Sequence, residues 1–112
     1  KVGIFAGSSP LSGKIAINLE SSSLPVAVAT SSGTVGHSLS FGKSDAVVVV
    51  SPSGSIADAA ATALGNIVSE PEDFNKAVAF AETISSIIGV IIICRDKICI
   101  TGNINISPCN TL

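Results

Sequence analysis

The hydrophobic and polar positions divide the chain into short apolar runs punctuated by Ser, Gly and Pro. "KVGIFAG" and "GKIAINL" are apolar or alternating around "SSPLSG", which predicts a strand, a turn and a returning strand. "VAVAT", Val26 to Thr30, is a β-branched strand, with Pro25 tolerated at its first position. It delivers the chain to the loop "SSGTVGHS", after which "SLSFGKS" leads into "DAVVVV", an unbroken apolar run of the kind covered on both sheet faces.

"SPSG" interrupts that run. Ser55, followed three residues later by Asp58, has the capping-box pattern ahead of an alanine-rich helix, "SIADAAATALGN", which Gly65 and Asn66 suit as an end. A second helix is expected from Pro71, with Ser69 as cap and Glu72 three residues on, running through "EDFNKAVAFAETISSI" to Gly89. Phe74, Ala77, Val78, Ala81, Ile84 and Ile88 recur at helical spacing and give it one apolar face. "VIIIC", the turn "RDK" and "ICITG" then predict a hairpin, and "NINISPCNTL" follows as a tail without a strong signal. The sum is an α+β fold, a largely antiparallel sheet with two main helices packed on one face.

Composition changes this picture in one respect. Of 112 residues, 46% are apolar and only 12% charged, against roughly 25% charged in an average soluble domain. The apolar runs are far shorter than the about 20 residues of a spanning helix, so a membrane protein is not expected. Low charge, the opening on Lys1, the lack of methionine and the lack of a charged-then-apolar leader suggest one half of a larger fold. Its bare surface would meet a missing N-terminal half or a second subunit. A net charge of −2 with no basic run argues against nucleic acid as a partner. Cys94, Cys99 and Cys109 match no metal-ligand spacing and read as reduced thiols of a cytoplasmic protein, with a redox role for Cys94 and Cys99 left open.

Two places offer chemistry. Asp58 and Thr62 stand one helical turn apart, so both oxygen-bearing side chains share a face. Asp58 as a capping carboxylate and Thr62 bonded back to a carbonyl is one account of them. The other is a pair of hard oxygen ligands for Mg²⁺, which leaves its remaining positions to water or phosphate oxygens. The loop that begins at Thr30, Ser31, Ser32, Gly33 and Thr34 offers backbone N–H groups and hydroxyls suited to phosphate. His37, the only histidine, is the candidate catalytic residue there, as general base or phosphate contact, or else a satisfied imidazole. A hydrolytic triad of Ser32 or Ser38 with His37 and Asp45 lacks any local signature. Asp45, Glu70, Glu72, Asp73 and Lys76 have ordinary surface or cap readings.

"TSSGTVGHSLSFGKSDAVVVV" followed by "ADAAATALGN" resembles the C-terminal half of an uncharacterised family within the ApbE-like superfamily, whose best-known members are FAD-dependent flavin transferases. The Thr-Ser-Gly type loop, Thr30 to Gly33, and the Ala-Asp-x-x-x-Thr-Ala helix start, Ala57 to Ala63, carry the likeness. The resemblance implies that residues 1–112 form the C-terminal portion of one such domain. It also implies that Asp58 and Thr62 hold Mg²⁺ and that FAD or FMN, or another phosphate-bearing small molecule, sits at the loop. If the chain is an enzyme, the implied activity is Mg-dependent flavin or nucleotidyl transfer. The histidine, aspartate and proline insertion of flavin transferases is reduced here to "HSLSFG", so His37 alone has a counterpart. The alternative reading is a non-catalytic structural or interaction module with a degenerate site.

Overall fold

The computed structural model describes residues 2–4, 15–18, 26–31, 46–102 and 104–108. In chain order the elements are β1 (Val2–Ile4), β2 (Ile15–Asn18), β3 (Ala27–Ser31), β4 (Ala46–Ser51), α1 (Gly54–Ile67), a 3₁₀ turn (Pro71–Asp73), α2 (Phe74–Glu82), β5 (Gly89–Cys94), β6 (Lys97–Gly102) and β7 (Asn105–Pro108). The fold is α+β, as the alternation of short strands with two helices predicts.

Four strands pair antiparallel in the order β3-β4-β5-β6. The two central strands, "AVVVVS" and "GVIIIC", are buried at every position, which is why they read as continuous apolar runs rather than alternating ones. Their side chains split by period two. Val47, Val49, Val90, Ile92 and Cys94 face the helices and pack with Ala57, Ala60, Ala61, Leu64, Ala77 and Ala81. Ala46, Val48, Val50, Ile91 and Ile93 face the opposite side, where Val28, Ile88, Ile98 and Ile104 lie against them. The buried alanines let α1 lie close to the sheet, and the wholly buried Leu64 fills the space they leave.

The helix boundaries differ from expectation for identifiable reasons. Ser53, not Ser55, caps α1: its hydroxyl accepts from the Ile56 N–H at 3.3 Å, while its own N–H donates to Ser51 Oγ at 3.1 Å. The second helix is entered through the Pro71–Asp73 turn with Glu70 at the cap position. Asp73 Oδ2 accepts the N–H groups of Ser69 (2.9 Å) and Glu70 (3.2 Å), so Ser69 is a donor to this corner rather than its cap. α2 ends at Glu82 instead of running on to Gly89. There the Thr83 hydroxyl donates to the Phe80 carbonyl at 2.6 Å, and residues 84–88 are tied to the sheet. Ser51 Oγ donates to the Ser86 carbonyl at 3.0 Å, and the Ile88 N–H to the Val50 carbonyl at 2.8 Å.

A second, three-stranded sheet has the order β1-β2-β7. The β1–β2 hairpin is the one the sequence predicts, with Gly3 opposite Ala16. β7 is an addition: it lies in the stretch read as a tail and pairs antiparallel with β2, Asn105 opposite Asn18 and Pro108 opposite Ile15. Among the described residues no helix is long and apolar enough to cross a membrane, which says nothing of a β-barrel.

Candidate functional site

Placing α1 on Ser53 changes the reading of Asp58. It is the fifth residue of the helix, beyond the first turn, and no acidic residue stands in that turn. The capping role expected for Asp58 is therefore corrected: the orphan N–H groups it would serve lie a turn earlier. Asp58 is exposed and Thr62 half-buried, side by side on a flank of the face that Ala57, Ala61 and Leu64 press onto the sheet. Among the described residues no group of three or more His, Cys, Asp or Glu side chains is placed to hold a metal ion.

The loop residues separate at the end of β3. Strand alternation turns Thr30 and Ser31 to opposite faces. Thr30 lies opposite Val48 and is exposed, whereas Ser31 lies opposite Val47 on the helix side. Ser31 is 95% withdrawn from solvent, at 5% exposure, and its hydroxyl has no hydrogen-bond partner among the described residues. Such a hydroxyl costs free energy on folding. Ser32, Gly33, Thr34, His37, Ser38 and Asp45 lie outside the described residues, and so do the loop site, the His37 role and the triad built on them.

The thiols do not form a redox pair. Neither Cys94 nor Cys99 is in a disulfide, Cys94 being buried and Cys99 half-buried. Cys94 is opposite Lys97 and Cys99 opposite Ile92, so the two cysteines are diagonal neighbours on one face, about 7–8 Å apart at their Cα atoms. That exceeds the usual disulfide span of about 4.4–6.8 Å. Burial also pushes the Cys99 thiol above its ordinary pKa, the reverse of the depressed value a reactive thiolate requires. Cys109 lies outside the described residues.

Two features had no signal in the residue pattern. The early end of α2 leaves a pocket of about 270 Å³ beside the starts of β5 and the end of β6, lined in part by Glu82, Ile84, Ser85, Ile88 and Thr101. The other is the outer edge of β6. Among the described residues its only strand neighbour is β5, and its burial runs from exposed Lys97 through half-buried Ile98 and Cys99 to Ile100, which is 42% exposed. Edge strands are ordinarily protected by charge, proline or bulges; here Lys97 is the only charged residue of the strand.

Comparison with known proteins places these features in a family. The chain is 48% identical over 95 residues to a UPF0280 protein of Methanococcus vannielii, covering 81% of this chain and 38% of the relative. It is 51% identical over 96 residues to a UPF0280 protein of Methanococcus aeolicus, covering 82% and 39%. To the UPF0280 protein MJ1526 of Methanocaldococcus jannaschii it is 42% identical over 108 residues, covering 92% and 44%. The chain thus spans about two fifths of the length of these curated relatives. Their names state no ligand and no reaction. The expected membership among ApbE-like flavin transferases, with its Mg²⁺ and FAD, is corrected accordingly: the match leads to UPF0280 proteins and brings no support for flavin chemistry. A family model described as AbpE bacteria matches residues 1–100, and the chain belongs to that family.

Proposed function

We propose that this chain is a structural and interaction module that joins further polypeptide through the outer edge of β6. The observation that carries the reading is the contrast within one sheet. β4 and β5 are buried at every residue, while β6 has an edge that no strand among the described residues pairs, and on this strand Ile98, Cys99 and Ile100 are half-buried or exposed. An added strand would satisfy the outward backbone groups and cover the apolar side chains together, which is how strand addition derives its affinity. Completing the burial of Ile100 alone is worth roughly 1 kcal/mol. The relatives' extra length supplies one source of such polypeptide, and a second subunit supplies another. The reduced state of Cys94 and Cys99 favours a reducing compartment, so we assign the module to the cytoplasm.

The test is association measured by sedimentation velocity. The chain is run alone and mixed with the portion of the Methanococcus vannielii protein that lies outside the matched region. The wild-type chain forms a larger species in at least one condition, and Ile100→Lys, which places a charge on the edge, removes it. A wild-type chain that stays monomeric in both, or an Ile100→Lys chain that associates equally well, contradicts the proposal.

A further inference from the structure

We propose that the occupant of the β6 edge is a second copy of this chain, paired antiparallel about a twofold axis that passes beside Cys99; the inference rests on reading β6 as a docking edge.

The hairpin geometry fixes which backbone groups are free. Arg95 and Asp96 form a two-residue turn, with Arg95 in the left-handed region at φ 60°, and Cys94 and Lys97 close it. The closing pair of such a turn exchanges both backbone hydrogen bonds, and alternation follows from there. Lys97, Cys99 and Thr101 thus direct their N–H and C=O groups at β5, while those of Ile98 and Ile100 point outward. The same alternation turns Gly102 outward at the strand's last residue, so a second strand can form its hydrogen-bonded pairs only with Ile98, Ile100 and Gly102.

Three of the twofold registers that meet this condition set an edge isoleucine opposite an edge isoleucine. Pairing Ile100 with its own copy sets Ile98 opposite Gly102 and carries Lys97 past the end of the strand. Pairing Ile98 with its own copy sets Ile100 opposite the turn residue Asp96. Pairing Ile98 with Ile100 of the second copy uses residues 97–101 of both strands. It brings the two isoleucines of each edge together twice, on the face where Ile98 already packs against Ile93 and Ile91. It also sets Lys97 opposite Thr101, so the lysines are kept apart. Self-complementarity and charge therefore select this register, and in it Cys99 lies opposite Cys99 of the second copy. That pair is a non-hydrogen-bonded one, whose Cα atoms lie about 4.5 Å apart, within the range a disulfide spans. The strand is only six residues long, so the dimer is expected to be weak and concentration-dependent.

Covalent trapping tests the register. The full chain, at a series of concentrations, is treated with copper–phenanthroline in air. Two Cys99 thiols then each lose a hydrogen to oxygen as one S–S bond forms, and peptide mass mapping locates the bond. The expected product is a covalent dimer linked Cys99 to Cys99, whose yield rises with concentration. Cys99→Ser abolishes it, and Ile100→Lys, which keeps the thiol, lowers it at least tenfold. Cys99→Ser combined with Thr101→Cys stays unlinked at that strand, because residue 101 meets Lys97 in this register. A chain that remains monomeric by sedimentation and yields no Cys99 dimer overturns the inference. If that monomer still binds the remainder of the Methanococcus vannielii protein through β6, the docking edge stands and only the second copy is wrong.

Discussion

Replacing Gly102 with alanine tests how the four-stranded sheet closes beside its open edge. Gly102 ends β6 at φ +93°, a conformation disfavoured for any residue with a Cβ, and stands opposite Gly89. A Cβ there would overlap the Ile88 carbonyl oxygen and come within 2.5 Å of the Gly89 Cα. These are backbone atoms held by the Ile88 N–H bond to Val50, so they cannot turn aside as a side chain would. The backbone conformation alone costs roughly 1–2 kcal/mol, and forcing a methyl into a packed place costs about 1–3 kcal/mol more. Gly102→Ala should therefore lower stability by roughly 2–5 kcal/mol, read as a fall in the urea midpoint at constant m. Gly54→Ala is the control. Its Cβ would meet only Ala27 Cβ at 3.8 Å, in the first turn of α1, so stability should hold or rise by up to about 0.5 kcal/mol. A Gly102→Ala chain as stable as the Gly54→Ala chain would refute the close approach of Gly102 to the Ile88–Gly89 backbone.

Ser31→Ala removes a buried hydroxyl that has no partner among the described residues, so equilibrium unfolding should show stability unchanged or raised by about 1 kcal/mol; a loss of that size would mean that the hydroxyl is bonded. Asp73 is held below the ordinary carboxylate pKa, first by the Ser69 N–H, then by that of Glu70 and by Lys76, against an opposing effect of burial. A depressed folded pKa stabilises above the unfolded value and loses that contribution as pH falls through the folded one. Asp73→Ala should therefore flatten the decline in stability below about pH 4, and an unchanged acid limb would rule out this source. Asp58→Ala, at an exposed position beyond the first turn of α1, should shift stability by less than about 0.5 kcal/mol, whereas a true cap would cost about 1 kcal/mol.

The sheet was legible because its two central strands are buried on both faces. Nothing polar interrupts "VVVV" or "VIII", whereas the pairing of β4 with β5 spans both helices and could not be read from the pattern. Helix ends were harder, because they depend on hydrogen bonds between distant segments. The stretch "TISSII" continues the apolar spacing of α2, yet the chain leaves the helix where Thr83 caps it and Ser51 captures the Ser86 carbonyl, 35 residues away. The serine-rich entry to α1 pointed to Ser55, whereas Ser53 is the cap, its own N–H bonded to Ser51 Oγ at the end of β4. β7 was hidden for another reason: "NINISP" is too short to announce a strand, and its partner β2 is remote in sequence. Of the candidate site, the shared flank of Asp58 and Thr62 could be read from spacing, since a four-residue step needs only the helix. The opposite facing of Thr30 and Ser31 required the register with β4.

Amide hydrogen exchange along β6, followed residue by residue as the chain is concentrated, tests the docking edge most directly. In dilute solution the N–H groups of Cys99 and Thr101 should be protected by β5, while those of Ile98 and Ile100 exchange freely. As concentration rises, Ile98 and Ile100 should become protected together, with Ile100→Lys preventing the change. Ile98 and Ile100 amides that stay unprotected at every concentration, and also on mixing with the remainder of the Methanococcus vannielii protein, would contradict β6 as a docking edge.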